Sequence, residues 1–351
     1  ELQVEGEGDE RKVVKDPVPA ELVQLVAAWD EYVQAVPLEA DPYRNHDQFL
    51  YNAGETYFLY GQFDVARQRM LPIYQMQCGK TKFGYLAWEK LLTMANLDGR
   101  VEDGRKLAEA AGKNSCAITE EQKAKEPSLR DPTIKLGYYV DASKAFQEAE
   151  KAPDGPDKAK LWRKAAAMYK AALEKAPDHD EAPEAAMNGA FAYKQVGEYD
   201  QAIGMYELFI KEYGNDERLG KLQKGDPNAK PPKNRPDPKR YEERVKFLKM
   251  AYDTLATSYV LFFDYQTAAK TFDTISRKTR FDAETRRGAA RNAVVLYANM
   301  GDDDKLRSAR GTFFSLNPPA EQKAEVDWLV ASADLKRWDE RGLDRGANRT
   351  A

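Results

Sequence analysis

The chain has 351 residues, 42% of them hydrophobic and 32% charged, with 54 basic and 58 acidic side chains and a net charge of −4. That apolar share can build a core and excludes wholesale disorder. The near-balance of charge argues against a dedicated nucleic-acid binder, and no run approaches the roughly 18 apolar residues that span a bilayer. Cys78, Cys116, His46 and His179 form no CxxC or HExxH cluster, so neither a metal site nor a cofactor is expected. Both histidines lie in polar, turn-like stretches and read as ordinary surface residues. No GxxxxGK[ST] phosphate loop and no GxSxG elbow occurs, so the chain reads as a non-enzyme. It begins at Glu1 rather than Met, which reads as a processed or trimmed start whose targeting segment is gone.

In chain order, residues 1–16 are acidic, include Gly6 and Gly8, and predict a flexible tail. The segment 17–111 opens with a helix from about Pro19 to Val36, its apolar face made of Leu22, Leu25, Val26, Trp29 and Val33. Two copies of one pattern follow. Leu50, Ala53, Gly54, Tyr57, Gly61, Phe63, Ala66 and Met70 form the first; Trp88, Leu91, Ala95, Gly99, Val101, Gly104 and Ala108 form the second. Spacings of three and four on either side of a glycine predict two short amphipathic helices joined by a tight turn. Small residues let the helices approach, and aromatics fill the space between neighbours. Residues 112–137 are polar and long for a loop, and predict a connection between an N-terminal and a C-terminal array.

A third, irregular copy and a fourth occupy 138–213. The third has a first helix over roughly Tyr138 to Lys151, a break at Pro153-Asp154-Gly155-Pro156, and a second helix marked by Ala165, Tyr169, Ala172 and Pro177. The fourth is the clearest, with Gly189, Ala190, Tyr193, Gly197, Tyr199, Ala202, Tyr206 and Phe209. Residues 214–240 hold five prolines and eight basic residues against four acids. They predict an extended, polyproline-like insertion, either a solvated spacer or a basic docking arm for an acidic partner. A fifth copy (Tyr252, Leu255, Ala256, Tyr259, Tyr265, Ala268, Phe272, Ile275) and a sixth (Ala290, Ala293, Tyr297, Gly301, Leu306, Phe313, Pro318) fill 241–318. Residues 319–340 predict a capping helix carrying Val326, Trp328, Leu329, Val330, Leu335 and Trp338. A tail, 341–351, ends the chain. Arg337, Arg341, Arg345 and Arg349 recur there, but Gly342 and Gly346 interrupt a continuous basic face.

This pattern of aromatic, small residues, Tyr, Gly, Ala, aromatic and closing Pro resembles the tetratricopeptide repeat (TPR) family over about three quarters of the chain. The resemblance implies an all-α, TPR-like α-solenoid of about six helix-turn-helix repeats with packing helices at both ends. It further implies that first helices line a concave peptide-binding groove. Carried onto the matching registers, that groove takes Tyr51, Glu55 and Phe58; Glu89, Thr93 and Asn96; Met187, Phe191 and Lys194; Asp253 and Thr257; and Arg291. The alternative for Tyr51, Phe58 and Phe191 is a place in the core between helices. The Lys, Asn and Arg cluster with which some family members grip a C-terminal carboxylate is missing, so a helix or extended peptide with apolar anchors is the expected ligand.

Cys78 and Cys116 each lie 17 residues after a turn glycine, Gly61 and Gly99 respectively. They are either a disulfide stapling two repeats, which implies an oxidising compartment, or two unpaired thiols. The phrases Gly197–Ile203 and Phe209–Tyr213 resemble those of bacterial cell-envelope TPR proteins. That resemblance implies a periplasmic protein-interaction scaffold with other proteins as partners, within an outer-membrane assembly or a trans-envelope gliding-motility machine. The competing expectation is a cytoplasmic TPR regulator that reads a peptide signal.

Overall fold

A computed structural model describes residues 2–5, 12–42, 45–229 and 233–347. The fold is all-α apart from one short ribbon: within each of two units successive helices pair as hairpins, and neighbouring hairpins pack on one another. Contact density divides the chain into two compact units. Unit 1 comprises residues 1–144 and 174–179; unit 2 comprises 145–173 and 180–351.

Unit 1 begins with a two-residue ribbon, β1 (Val4–Glu5) antiparallel to β2 (Lys12–Val13), with Val4 opposite Val13. The expected flexible tail at 1–16 is therefore corrected over its described residues. The Asp16 N–H donates to the Tyr60 carbonyl (3.0 Å) and the Gln62 side chain donates to the Asp16 carbonyl (2.9 Å). Leu2 and Val13 pack on the core of the first hairpin, so burial and backbone hydrogen bonds tie down a segment whose composition alone reads as disordered. Gly6 and Gly8 lie outside the described residues. Helix α1 (Ala20–Ala35) buries Val26, and its Asp30 is clamped by a two-bond pair with Arg69 (2.8 and 2.9 Å).

Helices α2 (His46–Leu59) and α3 (Phe63–Gln77) form the first hairpin, and α4 (Lys82–Leu97) and α5 (Val101–Lys113) the second. One core joins Tyr51, Phe58, Phe63, Met70, Ile73, Leu91 and Met94. A second joins Tyr85, Trp88, Leu92, Ala108 and Cys116. Cys78 and Cys116 are joined as a disulfide, with Cα atoms 4.5 Å apart. His46 and His179 are half-buried rather than surface residues; the His179 ring stacks on Tyr139 at 4.9 Å.

The expected connection at 112–137 is instead mostly helix. Helix α6 (Glu120–Lys151) contains both Pro127 and Pro132. Proline is a poor helix former, but tertiary packing overrides propensity here. Leu129 and Ile134 pack on the second core, and Tyr139, Ala142, Ala145 and Ala149 are buried further along. Buried Glu126 is held by Arg130 at 3.2 Å and by the Ser115 hydroxyl. The break between the two units thus falls inside α6 at residues 144 and 145 and inside α7 (Pro156–Lys175) at residues 173 and 174, not at 112–137.

In unit 2, α8 (Ala182–Gln195) and α9 (Tyr199–Leu208) make the clearest hairpin, and α9 runs on into a π-helical turn, Phe209–Tyr213. Gly189 admits α7 and α9 closely: a Cβ there would lie 2.5 Å from the Met205 methyl and 3.1 Å from Tyr169 Cβ. The proline-rich insertion is not wholly extended, because α10 (Asp216–Lys224) occupies its first third, capped by Asn215. Pro231 and Pro232 lie outside the described residues. Helices α11 (Pro238–Leu261) and α12 (Tyr265–Arg277) pair, as do α13 (Ala283–Met300) and α14 (Asp303–Ser315). Helix α15 (Ala320–Ala347) buries Val326 against the last core. Its length corrects the expected tail at 341–351 as far as Ala347. The side chains of Arg337, Arg341 and Arg345, and all of Arg349, lie outside what is described.

Candidate functional site

The register of each hairpin decides which side chains are offered to a partner. In four hairpins the turn residue after the first helix is a glycine with φ between 68° and 74°: Gly61, Gly99, Gly197 and Gly301. The following N–H reaches back five residues to close the helix, as in Gln62 to Tyr57 (2.9 Å), Glu198 to Tyr193 (3.0 Å) and Asp302 to Tyr297 (3.1 Å). This is the Schellman closure, in which the left-handed position suits glycine.

With helix rotation set, the twelve expected groove residues separate. In unit 1, Tyr51 and Phe58 are core, 4% and 5% exposed, and the groove assignment for these two is corrected. They lie on the side of α2 that faces α3 and α4. Phe58 stacks on Phe63 (5.4 Å), and Tyr51 packs on Phe83 (5.7 Å). The Tyr51 hydroxyl donates to Glu55 at 3.1 Å, and burial followed by that carboxylate pushes its pKa far up. Glu55 also pairs with Lys90 (2.9 Å), whose ammonium lies 4.4 Å from the Phe58 ring. Glu89 pairs with Lys125 of α6 (2.5 Å). The Thr93 hydroxyl donates to the Glu89 carbonyl (2.8 Å), and Asn96 bonds Thr133 (3.3 Å). Of the polar positions assigned to ligand binding in unit 1, Glu55, Glu89 and Asn96 thus link neighbouring first helices, and Thr93 bonds within its own.

Unit 2 offers more. Met187 is buried, so its groove assignment is corrected too. Phe191 is 43% exposed and Lys194 is exposed on the next turn of α8. The Phe191 ring rests against Phe146 (5.9 Å) and Trp162 (5.7 Å), which meet edge to face at 5.0 Å. Trp162 is buried beneath this aromatic platform while the Phe191 ring stays accessible, the arrangement expected of an interface anchor. The sequence reading missed Phe146 and Trp162, because the irregular third copy concealed their phase.

Asp253 and Thr257 are exposed one turn apart on α11, and the Thr257 hydroxyl is spent on the Asp253 carbonyl (2.8 Å). Desolvation, with the Asp282 carboxylate, raises the Asp253 pKa against the lowering effect of Lys249. Arg291 is engaged by Glu325 of α15, Nε to Oε2 at 3.0 Å.

Three of the eight basic side chains of the insertion are paired in place. Lys233 and Arg240 converge on Asp180 (2.9 and 3.4 Å), and Lys221 pairs with Glu217 and Asp226 (3.0 and 3.5 Å). Arg244 donates to the Tyr213 carbonyl (3.1 Å), and burial, with Arg218 and Arg240 nearby, lowers its pKa to about 10. Among the described residues no group of three or more His, Cys, Asp or Glu side chains is placed to hold a metal ion, and no helix is long and apolar enough to cross a membrane.

No protein-family model and no curated protein matches the chain. Among solved structures, BtubC (BKLC) from P. vanneervenii is similar at 12% identity and a TM-score of 0.31, covering 89% of this chain and 93% of its own. The TPR domain of P58(IPK) is similar at 12% identity and a TM-score of 0.25, covering 91% and 84%. Both likenesses are loose, and the fold rests on the hairpins described above.

Proposed function

We propose that this chain is a non-enzymatic protein-interaction scaffold that binds peptide or helical segments of other proteins on the first-helix surface of unit 2. The observation that carries this reading is the half-exposed Phe191 ring held on the Phe146–Trp162 platform. Lys194 on α8 and Asp253 and Thr257 on α11 supply exposed polar positions on first helices of the same unit. An apolar anchor with mixed polar positions suits a helix or extended peptide with bulky side chains.

The reading extends to a periplasmic setting as part of a bacterial envelope complex. The Cys78–Cys116 disulfide supports it, since such bonds persist in oxidising compartments. An outer-membrane assembly or a trans-envelope motility machine as the host complex rests only on the phrases Gly197–Ile203 and Phe209–Tyr213.

A photo-crosslinking amino acid at position 191 tests the binding surface in native cells, with the same probe at exposed Arg307 as reference. Protein adducts specific to position 191 are expected; identical adducts at both positions would remove the surface from the proposal. Trapping native thiols before lysis tests the compartment. Labelling of Cys78 without prior reduction would favour a cytoplasmic regulator.

A further inference from the structure

The α11–α12 turn departs from the other hairpins. Phe263 occupies the place that glycine takes at 61, 99, 197 and 301, with φ 61°. The hydrogen bonds are the same: Phe263 N to Val260 O at 3.1 Å, and Asp264 N to Tyr259 O at 2.9 Å. A left-handed phenylalanine is an outlier, disfavoured by its Cβ. Burial does not explain it, because Phe263 is 77% exposed. Leu261, Phe262 and Tyr265 around it are also exposed. Phe262 meets exposed Tyr199 of the neighbouring hairpin edge to face at 5.5 Å, and Phe263 meets Tyr265 at 6.1 Å. The hairpin ends thus present a patch of exposed aromatic and aliphatic side chains, and apolar patches of this kind mark interaction sites.

The rim of the patch is acidic. Glu198 and Asp200 flank Tyr199, Asp264 separates Phe263 from Tyr265, and Glu207 accepts from the Tyr259 hydroxyl at 2.8 Å. Of the bases near this rim, Arg163 pairs with Glu198 (2.7 Å), Lys170 bonds Gln201 (3.3 Å) and Lys270 acts on Asp264 through space, while the Asp264 carboxylate also accepts the Thr267 N–H as the cap of α12 (3.1 Å). Asp200, Glu207 and Asp264 form no ion pair among those described. We propose that the α11–α12 turn, with Tyr199, docks a basic amphipathic segment of a partner protein, its apolar side chains on Phe262 and Phe263 and its Lys or Arg side chains on the carboxylate rim. Charge complementarity selects this occupant: the same carboxylates repel an acidic segment and an anionic bilayer.

The test titrates the full chain with three labelled helical peptides: Leu/Lys, Leu/Glu, and Ser/Lys with the leucines replaced. The parent should bind the Leu/Lys peptide at least about tenfold more tightly than either other peptide, and added salt should weaken that binding. Phe263→Gly removes the ring and supplies the residue the other turns use, so its melting temperature should hold or rise while Leu/Lys affinity falls about tenfold. Asp200→Lys, on the rim, should lower affinity similarly without touching the turn. Equal binding of the Leu/Glu peptide, or unchanged Leu/Lys affinity in both variants, would overturn the proposal. So would a patch-dependent affinity for anionic vesicles that matches the peptide's, or patch-dependent self-association of the parent in sedimentation that leaves the peptide unbound. Loss of adducts at position 191 would leave this test untouched, because its two variants change positions 263 and 200 and keep Phe191.

Discussion

At the scale of single residues, left-handed turns separate two costs that are usually confounded. Gly61 and Gly301 have nearly the same φ, 69° and 71°. A Cβ at Gly301 would meet nothing within 4 Å, whereas one at Gly61 would lie 2.2 Å from the Val14 carbonyl oxygen. Gly301→Ala should therefore cost only the backbone term, about 1 kcal/mol. Gly61→Ala should cost more, about 2–3 kcal/mol, because the 12–16 segment must also move. Denaturant melts of the two variants check this, and equal losses would mean that the N-terminal segment is not docked as described.

Helix caps are legible in the same way. Asp282 receives the Thr285 N–H (2.8 Å) and hydroxyl (2.6 Å), which hold its carboxyl down at about 2. Its pKa lies below the unfolded value of about 3.9. Its stabilisation is therefore complete above that value and is lost as pH falls toward 2. Asp282→Asn keeps an acceptor for the cap but cannot titrate, so the variant should melt close to the parent at pH 7 and lose less stability between pH 4 and 2. An unchanged acid limb would show that the cap is not formed.

At the scale of elements, periodicity located the hairpins where small and aromatic residues alternate at three and four. Ala202 is buried at the centre of α9. Ala202→Phe should overpack the α8–α9 contact and cost about 1–3 kcal/mol; no change in melting would contradict the register of the fourth repeat. Helix α6 was illegible for a physical reason. Two prolines and a polar stretch carry the local signal of a loop, while the helix is held by contacts distant in sequence, such as Asn96–Thr133 and the burial of Tyr139. Pro127 and Pro132 are both exposed. Pro132→Ala should thus raise stability by about 1–2 kcal/mol, the interior-helix penalty less the entropy that alanine restores to the unfolded chain. Calorimetry showing destabilisation would mean that the proline is needed for the helix path. The binding positions were the least legible part. A rotation of α2 by one position exchanges core for surface, and the implied register put Tyr51 and Phe58 on the wrong side of it.

At the scale of the whole chain, the disulfide is the largest single constraint outside the cores. Cys78 and Cys116 are separated by 38 positions, and closing a loop of that length stabilises by about 4 kcal/mol in the chain-entropy picture. Its two alternatives stayed open in the sequence because equal offsets from two turn glycines do not set the distance between helix exits. The most direct measurement of the central claim is partner capture from native lysate by the parent chain and by Phe191→Glu, with circular dichroism and melting temperature matched first. The scaffold reading expects proteins that the parent retains and the variant loses, with peptide competitors bearing bulky apolar side chains displacing the same proteins. Identical partners on both baits would contradict it and move binding away from the Phe146–Trp162–Phe191 platform.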